Sequence, residues 1–315
     1  VKIAVVVTML KEARSIGALM EALRSQELCP EEVILVDGGS TDGSLEAARV
    51  AGEGLSGLKL LEAPGSNISQ GRNHGIRISD SPLIAVTDAG CIPARDWLQR
   101  LAAVFEEDPQ VGVVSGSVVP RPANHLEECI GRCSLAFKMK VGDAAFLPTA
   151  RSMAFRRSVW EMSGGFPEQL DFGEDAAFLV KALRSGVTVR FEPLAVVSWR
   201  PRSGYREVVA QFYHYADGMA RGGLSLKFHS RTVALSAAGL SLLCLGLCLA
   251  HWLPWALLAC LAGCYLGAKA RQGCFDIPSW KTYLRVPMVL LAIHMGTMAG
   301  ILHGNWSRLS RKVGS

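Results

Sequence analysis

From Val233 to Ala268 the chain runs 36 residues without a single charged side chain. A stretch that long and that apolar must be buried in protein or embedded in lipid. It has room for two helices that turn near His251-Trp252-Leu253-Pro254, each arm close to the lower limit of about 17–20 residues for crossing a hydrocarbon core. A second uncharged run, Val286 to Gly304, follows it. Trp252, Trp255, Trp280, Tyr283 and Trp306 stand near the ends of these runs, where an aromatic belt would place them. Residues 232–315 are therefore expected to form a membrane region of two or three apolar helices. The preceding 204–231 mixes aromatics, basic residues and glycines, and reads either as an interfacial segment or as a loop packed over a functional site.

Charge divides along the same line. Beyond Trp199 there are 13 Lys and Arg against 3 Asp and Glu, whereas residues 1–199 carry 20 basic and 25 acidic side chains. A basic excess beside apolar helices suits anionic lipid headgroups, so membrane lipids are expected as partners and nucleic acid is not. Three crossings would put Arg308, Arg311 and Lys312 opposite Lys227, Arg231, Lys269, Arg271, Lys281 and Arg285, against the positive-inside rule. Two and three crossings both stay open. The nine cysteines include no Cys-x-x-Cys pair, which argues against zinc. Cys129/Cys133, Cys244/Cys248 and Cys260/Cys264 are spaced by four and read as small buried helical residues. Nothing resembles a disulfide framework, which points to a reducing cytosolic face. The opening apolar run, Ile3 to Val7, is too short for a signal peptide.

Ahead of this region, strand-length apolar runs alternate with helical patterns. Ile3–Thr8 is continuously apolar, as for a strand buried on both faces. Ala13, Ile16, Leu19, Met20 and Leu23 then recur at helical spacing. Val33–Val36 (strand), Ser44–Ala51 (helix), Leu58–Leu61 (strand), Gly71–Ser79 (helix) and Leu83–Thr87 (strand) repeat the rhythm. A helix starts at Asp96, with Gln99 completing a capping-box pattern, and Val111–Val119 is again strand-like. The order predicts a mostly parallel sheet with helices on both faces. After Pro120 the expected elements are a helix over His125–Lys140, a short strand at Ser152–Phe155 and a helix over Asp175–Ser185 ended by Gly186. Two last strands are expected at Val187–Phe191 and Ala195–Trp199.

In open parallel sheets ligands bind beyond the strand C-termini, and the polar motifs of this chain fall there. Asp37-Gly38-Gly39-Ser40-Thr41-Asp42-Gly43 offers two carboxylates that could meet a base or ribose, though a plain turn uses the same residues. Asp88, at the end of a buried strand, must be solvated or paired, by protein groups or by a divalent metal carrying a diphosphate. Glu174-Asp175 open a helix, where acids suit the dipole and where one could also serve as a general base.

Taken together, these residues resemble a membrane-anchored, bacterial-type family-2 glycosyltransferase of the GT-A fold over roughly residues 1–225. The resemblance rests on the opening strand and Glu12, Val36-Asp37-Gly38-Gly39-Ser40-Thr41-Asp42, Gly71-Arg72-Asn73-His74-Gly75-Ile76, Thr87-Asp88-Ala89-Gly90 ahead of Trp97-Leu98, Gly164-Gly165-Phe166 and Gly173-Glu174-Asp175. Each motif is weak singly, and their order and spacing carry the match. It implies a Rossmann-like α/β catalytic domain over 1–203, the interfacial segment 204–231 and the membrane region 232–315. By the resemblance, Thr8, Glu12, Asp37, Asp42, Arg72 and Asp88 would surround the nucleotide. Asp88 would be the metal-proximal acid for Mg²⁺ or Mn²⁺, and Asp175, beside Glu174, the general base of an inverting transfer.

Three positions depart from the family pattern. Lys11 stands where Asn is usual, Gly90 replaces the second acid of the DXD-type motif, and Gln211-Phe212-Tyr213-His214-Tyr215 lacks the Arg-Trp of the processive QXXRW motif. Metal dependence is accordingly weakened, with Arg200, Arg202 and Arg221 as alternative carriers of leaving-group charge or simply membrane-proximal basic residues. A single transfer is expected rather than polymerisation. The expected donor is a nucleotide-diphosphate sugar, commonly UDP-linked, and the expected acceptor a lipid-linked saccharide or other amphiphile. The enzyme would sit on the cytoplasmic side of the cell (inner) membrane. The alternative is a non-catalytic, membrane-tethered binding or assembly protein, suggested by Gly90 and opposed by Glu174-Asp175.

Overall fold

The computed structural model describes residues 2–135, 139–141, 144–146, 149–249 and 252–313. The chain forms two compact units, one of residues 1–121 and 138–200, the other of 122–137 and 201–315.

The first unit opens with the rhythm expected: β1 (Ile3–Met9), α1 (Ile16–Arg24), β2 (Glu32–Asp37), α2 (Ser44–Ala51), β3 (Leu58–Glu62), α3 (Ile68–Ile78) and β4 (Leu83–Asp88). A short β5 (Cys91–Pro93), α4 (Trp97–Glu107) and β6 (Val111–Pro120) follow. The sheet has the order β3-β2-β1-β4-β9-β6-β10-β5. Its β3-β2-β1-β4 half is parallel, and Ile3–Val7 at its centre are wholly buried, which is why that run needs no polar alternation.

Differences from expectation lie beyond β4. The segment expected at Ser152–Phe155 is β9 (Met153–Arg156), an antiparallel strand inserted between β4 and β6, so the sheet is mixed. Instead of two last strands there is one, β10 (Thr188–Trp199), whose register against β6 breaks between Glu192 and Val196. Asp96 precedes α4 without capping it: its near-helical backbone turns the side chain toward Arg100 Nε, 2.9 Å away. The working capping box belongs to α3, where Asn67 accepts from Gln70 N and Gln70 accepts from Asn67 N, each at 2.9 Å. β7 (Met139–Val141) pairs with β8 (Ala144–Phe146). α6 (Arg157–Met162) and α7 (Glu174–Arg184) complete the unit, and Gly186, at φ +79°, turns the chain after α7.

The second unit contains α5 (His125–Ser134), α8 (Tyr205–Arg221), α9 (Ser225–Leu249), α10 (Trp252–Arg271) and α11 (Thr282–Val313). The helix expected over His125–Lys140 stops at Ser134; Ala136–Lys138 lie outside the described residues and Lys140 belongs to β7. Of the expected turn at 251–254, His251 lies outside them too, and α10 begins at Trp252. Cys129, Ile130, Cys133, Val208, Cys274, Val286 and Val289 share one apolar core. Among the described residues, α10 and α11 (the latter over Thr282–Ser310) are long and apolar enough to cross a membrane, by length and composition; the apolar part of α9 is shorter. Cys244, Cys248, Cys260 and Cys264 are exposed, not buried as their spacing suggested, because α9 and α10 turn most of their apolar surface outward. Segment 204–231 is helical over most of its first part. It forms α8, which runs parallel to α11, with Gly296, Gly300 and Gly304 meeting the α8 backbone at Val209, Tyr213 and Asp217.

Candidate active site

The C-terminal ends of β1, β2 and β4 are held level by the parallel register, which pairs Thr8 with both Val36 and Asp88. Helix α3 lies tight on this edge. A Cβ at Gly71 would stand 3.0 Å from Thr8 Cγ2, and one at Gly75 would stand 2.7 Å from Val6 Cγ1, so larger residues would push the helix off the sheet. Between the two glycines Arg72 and Asn73 are buried. Asn73 donates to Phe166 O (2.8 Å) and accepts from Phe166 N (2.9 Å) and Trp160 Nε1 (2.9 Å), pinning the Gly164-Gly165-Phe166 turn to α3.

Arg72 is the hub of the charged cluster. Its side chain is 1% exposed and donates to Glu174 Oε1 and, at 2.7 Å, to Asp88 Oδ1. The guanidinium also lies 5.4 Å from the Phe166 ring centroid. Burial works against its charge, but Glu174, Asp88 and Asp175 outweigh burial and hold the arginine protonated. Glu174 responds in the opposite sense. Burial, then the Asp175 charge, push its carboxyl up to about 7 against the pull of Arg72. Burial also raises Asp175, while Arg72 and the backbone amides of Ala176 (2.7 Å) and Ala150 (3.1 Å) restrain the rise. Asp175 thus sits half-buried at the start of α7, oriented by two amides.

Arg151, which no motif marks, enters this cluster. Its Nε is 3.7 Å from Asp88 Oδ2, and its guanidinium lies 5.0 Å from the Trp199 ring centroid. The antiparallel insertion of β9 brings it there, two residues ahead of Met153. The only signal available in the sequence is an arginine next to a short strand.

The remaining expected site residues shape the rim. Asp37 is buried and builds its own turn, accepting from Ser40 N (2.9 Å), Ser40 Oγ (2.5 Å) and Gly39 N (3.2 Å); its carboxylate oxygens retain further acceptor capacity. Asp42 ties the β2–α2 loop to the β1–α1 loop, accepting from Ser44 Oγ and from Ala13 N (3.3 Å). Those bonds, the Ser44 hydroxyl first, hold its carboxyl below the usual value. Lys11 N donates to Ser40 Oγ (2.8 Å) and Glu12 N to Ser44 Oγ (2.7 Å), closing the same junction. A Cβ at Gly90 would meet the Glu12 carboxylate at 3.5 and 3.6 Å. Arg200 follows β10 and is exposed. Arg202 is exposed in the second unit, which also holds the Gln211–Tyr215 stretch on α8, with Gln211 buried and His214 exposed, and Arg221 paired with Asp217 at 2.9 Å. Among the described residues no three His, Cys, Asp or Glu side chains form a metal cage.

Comparison with known proteins bears on this arrangement directly. The model described as Glycosyl transferase family 2 matches residues 4–161, and that described as Glycosyl transferase family group 2 matches residues 83–299. The chain is 26% identical to glycosyltransferase AglE of Haloferax volcanii over 69% of its own length and 72% of that protein. It is 36% identical to the succinoglycan biosynthesis protein ExoU of Rhizobium meliloti over 54% of its own length and 53% of that protein. It spans half the length of the pre-mycofactocin glycosyltransferase of Mycobacterium tuberculosis, with 25% identity over 75% of this chain. Among solved structures it shares its fold with the mannosyltransferase PcManGT from Pyrobaculum calidifontis, at a TM-score of 0.68, 23% identity and coverage of 95% and 86% of the two chains. A mixed α/β sheet of GT-A type, the cluster at its strand ends and two family models spanning most of the chain agree: the protein is a glycosyltransferase and belongs to family 2.

Proposed function

We propose that this enzyme transfers a sugar from a nucleotide-diphosphate donor, UDP-linked, to a lipid-linked saccharide or similar amphiphile at the membrane, with inversion at the anomeric carbon. The observation that carries the reading is Asp175, held by the Ala150 and Ala176 amides beside the Arg72–Glu174–Asp88 cluster. The acceptor oxygen attacks the anomeric carbon, Asp175 takes the hydroxyl proton, and the bond from that carbon to the diphosphate oxygen breaks. A raised carboxyl pKa makes Asp175 a better proton acceptor than a solvated aspartate, and its fixed orientation lowers the entropic part of the barrier. Arg72 and Arg151 bring positive charge to the Asp88 end of the site, where the departing diphosphate accumulates negative charge. Asp88 is the group that would hold Mg²⁺ or Mn²⁺, which when bound supplies charge neutralisation to the diphosphate. PcManGT was solved with GDP-Man and Mn²⁺, which supports a cation of this class and makes GDP the competing nucleotide.

The apolar helices α10 and α11 support a membrane anchor; the cytoplasmic face of the inner membrane is our reading for the first unit, drawn from cysteines whose spacing forms no disulfide framework. The names of relatives such as ExoU and the O-antigen chain rhamnosyltransferase RfbN of Salmonella typhimurium support a saccharide acceptor within polysaccharide or glycolipid assembly. The test is a binding panel of UDP, GDP, ADP and CDP with Mn²⁺ on the purified full chain, followed by NMR of the transfer product from the matching sugar. Tight binding of UDP and an inverted anomer are expected. No preference among the nucleotides, or a retained anomer, would overturn the reading.

A further inference from the structure

The DXD-type motif lacks its second acid, and Asp88 already faces two guanidinium groups, Arg72 on Oδ1 and Arg151 toward Oδ2. A cation held by Asp88 alone would compete with both. The space at Gly90 is informative. Gly90 does not have a positive φ, and a Cβ built there would find Glu12 Oε1, Oε2 and Cδ as its three nearest neighbours, at 3.5, 3.6 and 3.8 Å. These are ordinary contact distances, so the glycine is not forced by backbone strain or a clash. The Glu12 carboxylate lies where a side chain at position 90 would project.

Glu12 is also fixed from behind. Its amide is bonded to Ser44 Oγ at 2.7 Å, the flanking amides of Lys11 and Ala13 to Ser40 Oγ and Asp42 Oδ2, and its Oε2 accepts from Ser15 Oγ. Among the described residues no donor is recorded on Oε1, and the side chain is partly exposed. Strand pairing of Thr8 with Asp88 brings the end of β1, and with it this loop, to the Asp88 side of the sheet edge. Carboxylate oxygens from two loops, completed by diphosphate oxygens and water, form the donor set that Mg²⁺ and Mn²⁺ accept.

We propose that Glu12 supplies, from the β1–α1 loop, the second acidic group that position 90 lacks, so that the divalent cation of the donor complex is held between Glu12 and Asp88. This rests on the donor-site reading above. It narrows the role of Glu12 from bordering the nucleotide to holding the cation, and gives the cation site a second acid with glycine at position 90.

The test measures Mn²⁺ binding by electron paramagnetic resonance of free Mn²⁺, on the full chain in detergent with UDP present. Glu12→Gln, nearly isosteric, is expected to weaken Mn²⁺ by roughly ten-fold or more, the scale seen when groups around a metal are removed. Gly90→Asp in the Glu12→Gln background should recover most of the loss, since the new carboxylate would project into the same space. Gly90→Lys, which leaves the β1–α1 loop untouched, should weaken Mn²⁺ by setting an ammonium against Glu12. Unchanged Mn²⁺ affinity in Glu12→Gln, or no recovery in the folded double variant, would overturn the inference. Wild-type protein that binds UDP but takes up no Mn²⁺ overturns this inference alone, whereas absence of UDP binding overturns the donor-site reading itself.

Discussion

Lys11 adopts φ +57°, the only positive φ outside glycine among the described residues. That left-handed conformation costs most L-residues about 1–2 kcal/mol, and Asn far less. The Asn usual at this position in the family thus has a backbone reason. Lys11→Asn is expected to stabilise the protein by about 1 kcal/mol, seen as a rise of ~2 °C in the melting midpoint, with nucleotide affinity unchanged. The raised pKa of Asp175 gives a second prediction at this scale. The base works ionised, so kcat/KM falls as pH drops through its pKa, and the acid limb should lie above the 3.8 of an ordinary aspartate. A limb at or below that value in a pH–rate profile would contradict burial as the dominant influence. Asp88, Glu174 and Asp175 were legible as residues because each ends a strand or opens a helix inside a motif. Arg151 was not, since its place depends on where β9 inserts, a tertiary event with no local signature.

Among elements, the pairing of α8 with α11 is the one most open to perturbation. A Cβ at Gly304 would stand 2.6 Å from Asp217 O, and one at Gly300 would stand 2.9 Å from Asp217 N and closer still to Tyr213 O. Gly300→Val should therefore part the helices and lower stability by about 1–3 kcal/mol, while Ala299→Val, on the exposed side, should leave the melting midpoint nearly unchanged. Equal effects of the two in detergent would argue against close helix packing. Strand and helix positions up to β4 followed from apolar runs and helical periodicity. Beyond it, β9 is a four-residue strand, too short for its direction to show, and only its pairing with β4 and β6 makes the sheet mixed. The glycine spacing of α11 is visible in the sequence, but its partner α8 carries Arg206, Glu207, Asp217 and Arg221 and so looks like a surface helix.

For the molecule as a whole, the 36-residue uncharged run resolves into α9 and α10, and the later apolar run lies within α11. Trp252, Trp255, Leu257, Trp280, Tyr283 and Trp306 are exposed, an apolar surface suited to lipid. The protein is expected to stay in the membrane fraction after an alkaline carbonate wash, and its release would count against embedded helices. The number of crossings was not legible because the two arms of the 36-residue run are each near the lower length limit for a span, and the basic residues after Gly304 oppose a third crossing. The central claim, that Asp175, held by two backbone amides beside a buried charged cluster, deprotonates an acceptor, is tested most directly by Asp175→Asn. Transfer rate and nucleoside-diphosphate affinity are measured on the same preparation. A fall in kcat of roughly 10²–10⁴-fold with nucleotide affinity unchanged is the predicted result. Retention of transfer within a few-fold of wild type would contradict it.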